Sequence, residues 1–218
     1  MFRAILFSQW KWSRLIVALG AVAGFALPIV SLQGAAAADR SPLQVESLLR
    51  VVQSWGTLYP VLAAALGLLV AMATWAPDHR GRHVHALSLP LPRWRYALLR
   101  FGAGVTVLAA PIVAVLLGAL LATTAATIPA GLQTYPIALA LRFALALLVA
   151  YAVFFAISAG TARTAGIILG AIAALIVVQI VAGVANVELG LPDRLQMLVL
   201  NWPGPLAVFT GRWMLLDV

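Results

Sequence analysis

Long apolar runs alternate with short polar breaks along this chain, and the runs are helix-length rather than strand-length. Leu15 to Leu32, Trp55 to Trp75, Leu98 to Leu121, Pro136 to Ala159 and Gly166 to Gly183 each hold about 18 or more predominantly apolar residues. In hydrocarbon a backbone must satisfy its own N–H and C=O groups, and a single segment does so as an α-helix. The pattern predicts an all-α, polytopic integral membrane protein with about five to six transmembrane helices in one domain covering residues 1–218. The last stretch, 195–218, is apolar but interrupted by Asn201, Pro203, Gly204 and Pro205. It is expected to form a re-entrant element at the outer face, or else a broken sixth span.

The break between the second and third runs is the most polar part of the chain. From Trp75 to Phe101 it holds Arg80, Arg82, Arg93, Arg95 and Arg100, three histidines and Asp78. A guanidinium at the centre of a bilayer costs roughly 2.5 to 3.5 kcal/mol even on lenient insertion scales, so this island is expected in water at a membrane face. Basic loops resist translocation, which assigns that face to the cytoplasm. On this topology Arg3, Lys11, Arg14, Arg80, Arg82, Arg93, Arg95, Arg100 and Arg163 lie inside against Asp78 alone, whereas outer charges balance. The chain is therefore expected in the cell's inner, cytoplasmic membrane as a multi-pass protein with a cytoplasmic N-terminus.

Upstream of the first run, residues 1–14 set Phe2, Ile5, Leu6 and Trp10 along one helical side, with Lys11 and Trp12 at its margin. Aromatic and basic residues mixed in this way suit an interfacial helix lying among lipid headgroups, or the basic flank of the first span. Ala36-x-Ala38 resembles a signal-peptidase site, but the long aromatic leader argues for a retained span.

Composition supports the membrane assignment: 218 residues, 64% hydrophobic, 9% charged and a mean hydropathy of +1.05, against roughly 25% charged in soluble domains. The net charge of +8 resides beside apolar spans, where it sets topology and meets anionic membrane lipids; no stripe suited to nucleic acid is present. Without cysteine there is no disulfide, thiolate metal site or thiol nucleophile. The single lysine, Lys11, precedes Trp12, so it cannot belong to a GxxxxGK[ST] phosphate loop. His79, His83 and His85 have only Asp78 as a neighbouring carboxylate, so no metal site is expected. Serines near the island lack a histidine and carboxylate partnership, and no catalytic residue is assigned.

The island has internal order. Asp78 is placed to cap a helix through Arg80 and His83, with Val84 and Leu87 on a small apolar side. Pro90 and Pro92 push the residues before them out of helical geometry and stiffen the return through Arg93. Such a short amphipathic lever suits docking into a groove on another protein. Elsewhere, Arg142, one to two turns inside the fourth run, either snorkels to outer headgroups or faces a substrate path with Gln179. Gly20-x3-Gly24 and Gly166-x3-Gly170 offer faces for close helix approach.

The order of elements, with Asp78, Gly81, Leu87, Leu89, Pro90 and Arg93 after the second run, resembles the permease subunits of ABC-2 type ATP-binding-cassette exporters. The family pattern carries glutamate where Asp78 stands. The resemblance implies a cytoplasmic coupling helix between spans 2 and 3 that docks on a separate ABC ATPase subunit through Asp78, Arg80, Gly81, Arg82, Val84, Leu87, Leu89, Pro90 and Arg93. It further implies a second permease copy or paralogue, giving a homo- or heterodimer, and places the 1–14 helix beside the ATPase. ATP and Mg would then sit on the partner, with no cofactor in this chain. The rival expectation is a non-transporting membrane anchor or assembly subunit.

Overall fold

The computed structural model describes residues 2–36, 52–80, 92–125, 132–159, 167, 170, 174, 178, 204, 206–213 and 215–217. Four helices dominate: α1 (Phe2–Ala36), α2 (Leu58–Arg80), α3 (Arg93–Ala125) and α4 (Pro136–Ala159). All four are long and apolar enough to cross a membrane, and helical residues continue upstream of α2 to Val52 past a turn at Thr57. The protein is membrane-embedded on this basis. Of the expected fifth span, residues 167, 170, 174 and 178 are helical and the remainder lies outside the described residues.

The helices form a ring in the order α1, α3, α4, α2, so that α2 and α3, consecutive in the chain, stand on a diagonal and touch little. Small residues fix the approaches. Gly20 of α1 faces the Leu66 side chain of α2, while Gly24, one turn on, faces Val115 and the Pro111 carbonyl of α3. Gly118 of α3 lies against the Phe25 backbone, and Gly67 of α2 against Ala150 and Tyr151 of α4. Without a hydrophobic force between helices in lipid, close backbone packing of this kind holds them together. The core runs through Val17, Val70, Leu108, Val115, Phe143 and Leu147, all nearly inaccessible. In the most apolar window of each helix only 33 to 39% is buried, leaving the outward sides for lipid or neighbouring chains.

Residues 1–14 were expected as an interfacial helix or as the basic flank of the first span, and the helix runs unbroken past Arg14. Interfacial segment and first span are one 35-residue helix, about 52 Å long at 1.5 Å per residue. No proline lies between Phe2 and Leu27 to end it, and Ile5, Leu6 and Gln9 turn inward onto the bundle. Phe2, Trp10, Lys11 and Trp12 are exposed. Likewise α2 extends past Trp75 through Pro77 to Arg80, and α3 begins at Arg93 rather than Leu98. Helix α3 starts with the Pro92 carbonyl accepting from the Arg95 and Tyr96 amides.

At the far end of the bundle a two-residue strand, β1 (Gln133–Thr134), pairs antiparallel with β2 (Leu216–Asp217), drawing the C-terminal tail against the start of α4. The described tail contains one 3-10 turn, Ala207–Phe209.

Candidate functional site

The chemistry gathers at the end of the bundle from which residues 81–91 depart. Asp78 lies in the last turn of α2, not at the start of a new helix, and is 3% exposed. A buried carboxylate there opposes both the helix dipole and desolvation, so it requires a cation. Arg100 of α3 supplies it: Nη2 donates to Asp78 Oδ1 at 3.0 Å. Tyr96, one helical turn earlier, donates its hydroxyl to the same carboxylate at 3.1 and 3.2 Å. Arg100 Nη1 donates to the Thr74 carbonyl, and its Cζ lies 5.5 Å from the Trp75 ring centroid and 5.1 Å from that of Tyr96.

From this pair a polar seam runs inward. Thr74 Oγ1 donates to the Val70 carbonyl at 2.7 Å and accepts from Gln9 Nε2 of α1 at 2.6 Å. Tyr151 of α4 brings its hydroxyl to Gly104 of α3, where a Cβ would collide with it and would stand 2.7 Å from Gln9 Nε2. Trp75 Nε1 donates to the Phe155 carbonyl of α4 at 3.2 Å; beside the seam Phe101 stacks on Tyr151, and Phe155 meets Phe101 edge-on and Tyr151 at a tilt. Each of the four helices thus contributes a polar or aromatic tie to the Asp78 end of the bundle. Gln9 Oε1, Tyr151 Oη and Arg100 Nε have no hydrogen-bond partner among the described residues.

Arg100 therefore departs from the expectation for the arginine island: it is 8% exposed and paired inside the bundle. Burial is tolerable because its charge is matched and one carbonyl and two aromatic faces surround it. Arg93 and Arg95 are exposed, and Arg95 Cζ stands 5.1 Å from the Trp94 ring centroid. Arg80 ends α2. Gly81, Arg82, Val84, Leu87, Leu89 and Pro90 lie outside the described residues, as does Gln179. Tyr96, Arg100, Thr74, Gln9 and Tyr151 were not nominated from the sequence. One signal for the pair was available: a lone acid at one apolar boundary and a lone arginine within the next apolar run.

Arg142 sits at the opposite end. Its Nε donates to the Val208 carbonyl at 3.3 Å, Nη1 to the Arg212 carbonyl at 2.5 Å and Nη2 to the Thr210 carbonyl. Its Cζ lies 4.6 Å from the Trp213 ring centroid. The guanidinium is engaged with the tail backbone. Comparison with protein-family models, curated proteins and solved structures finds no match for this chain.

Proposed function

We propose that this chain is a permease subunit of an ABC-2 type exporter, converting ATP-driven movement of a separate ATPase subunit into rearrangement of its membrane helices. The observation that carries this reading is the junction at the base of residues 81–91. Asp78 and Tyr96–Arg100 join the ends of α2 and α3, Gln9–Thr74 joins α1, and Trp75–Phe155 joins α4. A push on the intervening segment is delivered to all four helices at once, because a buried ionic and aromatic junction has discrete arrangements rather than elastic slack. The partner would bind ATP and Mg, and a second permease copy or paralogue would complete the route. Apolar outer surfaces suit an amphiphilic cargo moving beside lipid.

The test is purification from the native membrane with a tag on this chain, followed by ATP-dependent transport after reconstitution. An ABC ATPase is expected to accompany the wild type, and charge reversal at Arg80, Arg82 and Arg93 is expected to release it. Equal retention by the variant removes the docking role, and a complex without any ATPase favours the anchor or assembly subunit.

A further inference from the structure

Helix α1 carries two cations on the outward surface of the bundle, level with apolar parts of its neighbours. It runs antiparallel to α2, with Gln9 bonded to Thr74 and Gly20 facing Leu66. Arg14 is five residues past Gln9, and Thr74 is itself four residues past Asp78. At 1.5 Å per residue Arg14 therefore stands about 13 Å further into the bundle than Asp78, and Lys11 about 9 Å further. That is level with the apolar stretch of α2 between Leu66 and Trp75. Both cations are exposed, and so are Phe7, Trp10 and Leu15 around them, Phe7 and Leu15 at 71%. Phe7, Trp10, Lys11 and Arg14 share one side of the helix, and Lys11 and Arg14, three apart, are neighbours across one turn.

A charge on a lipid-facing surface at that depth needs a counter-charge. Arg100 and Arg142 find their partners within the fold, in Asp78 and in three tail carbonyls. Lys11 and Arg14 have no hydrogen-bond or ion-pair partner among the described residues, whose carboxylates are Asp78, taken by Arg100, and Asp217, at the opposite end. Helical side chains lean toward the N-terminus, so both cations reach back toward the Asp78 end and recover only part of their depth. We infer that Lys11 and Arg14 hold the phosphate of an anionic phospholipid drawn in against α1, with its acyl chains along the exposed Leu15, Ala18 and Leu19. A lipid suits this site because it brings a phosphate for the cations and chains for their apolar surroundings. Two adjacent cations favour a headgroup of net negative charge, since a zwitterionic headgroup carries a cation of its own. The inference concerns α1 and holds whether or not the chain transports anything.

The absence of cysteine lets one reporter be placed beside the pair. Ala18→Cys, exposed one turn beyond Arg14, is labelled with bimane. The chain is reconstituted in phosphatidylcholine vesicles containing acyl-brominated phosphatidylglycerol or acyl-brominated phosphatidylcholine, which quench on contact. The anionic lipid is expected to occupy the site about tenfold more strongly than the zwitterionic one, the scale for two cations beside an anionic headgroup. Lys11→Gln combined with Arg14→Gln is expected to bring that ratio near one, and either alone to about threefold. Lys11→Arg with Arg14→Lys is expected to keep the preference. Removing two charges elsewhere, by Arg95→Gln with Arg212→Gln, is expected to leave it unaltered. The site is overturned if the labelled parent shows no preference, if the Lys11 and Arg14 double variant keeps it, or if the Arg95 and Arg212 control loses it equally, which would mark net charge alone. Inorganic phosphate added at constant ionic strength is expected not to displace the lipid; displacement would overturn the lipid assignment. Should the Lys11 and Arg14 double variant fail to fold, an unaltered ratio in both single variants overturns the site.

Discussion

Asp78 and Arg100, 22 positions apart and on helices that stand diagonally across the bundle, meet in a 3.0 Å ion pair shielded from solvent. The pair joins two helix ends that are otherwise barely in contact. It ties the last turn of α2 to the second turn of α3.

Removing one member of this pair leaves an uncompensated buried charge. Arg100→Met is expected to lower unfolding stability in detergent by about 3 kcal/mol, within the range for broken buried pairs. Combining it with Asp78→Leu is expected to restore most of the loss, because two apolar side chains replace two desolvated ions. Chemical denaturation of the two single variants and the double variant checks this; additive losses would show that the charges do not act as a pair.

At Gly118 an added methyl meets the Phe25 backbone, which cannot move aside as a side-chain tip can. Gly118→Ala is expected to cost about 2 kcal/mol by forcing α1 and α3 apart. Among the described residues nothing stands within 4 Å of a Cβ placed on Gly170, and Gly170→Ala is expected to be neutral. Thermal unfolding of both variants in one detergent makes the comparison.

The Gln9–Thr74 hydrogen bond joins α1 to α2 in the seam. A cycle of Gln9→Leu and Thr74→Val is expected to show a coupling of about 1 kcal/mol, the scale of interhelical polar bonds in membranes. A coupling near zero would mean that Gln9 turns to another partner.

Orientation is testable with single cysteines at exposed positions on opposite ends, Trp94→Cys and Gln133→Cys. On the basic-inside assignment, a membrane-impermeant maleimide added to intact cells labels Gln133→Cys at once and Trp94→Cys only after permeabilisation. The reverse pattern would invert the topology.

Helix positions were legible because they depend on local composition. The apolar runs beginning at Leu15, Trp55, Leu98 and Pro136 became α1 to α4, and the Gly20 and Gly24 spacing marked two close approaches. The extra turn carrying Asp78 was not legible, since its stabilisation comes from Arg100 on another helix. For the same reason Arg93 and Arg100, which read alike as members of one basic loop, proved exposed and buried respectively. Helices apolar on nearly every side carry no amphipathic stripe from which facing can be read.

By itself the sequence determined that this chain is built of membrane-length helices, because hydrocarbon admits a lone segment only when its own backbone satisfies every amide. Which polar groups face one another was decided by the fold alone. Arg142 finds its carbonyls 66 to 70 residues downstream, and Gln9 meets Thr74 65 residues away. Such partners are set by the order of helices around the ring, and no spacing along the chain encodes that order.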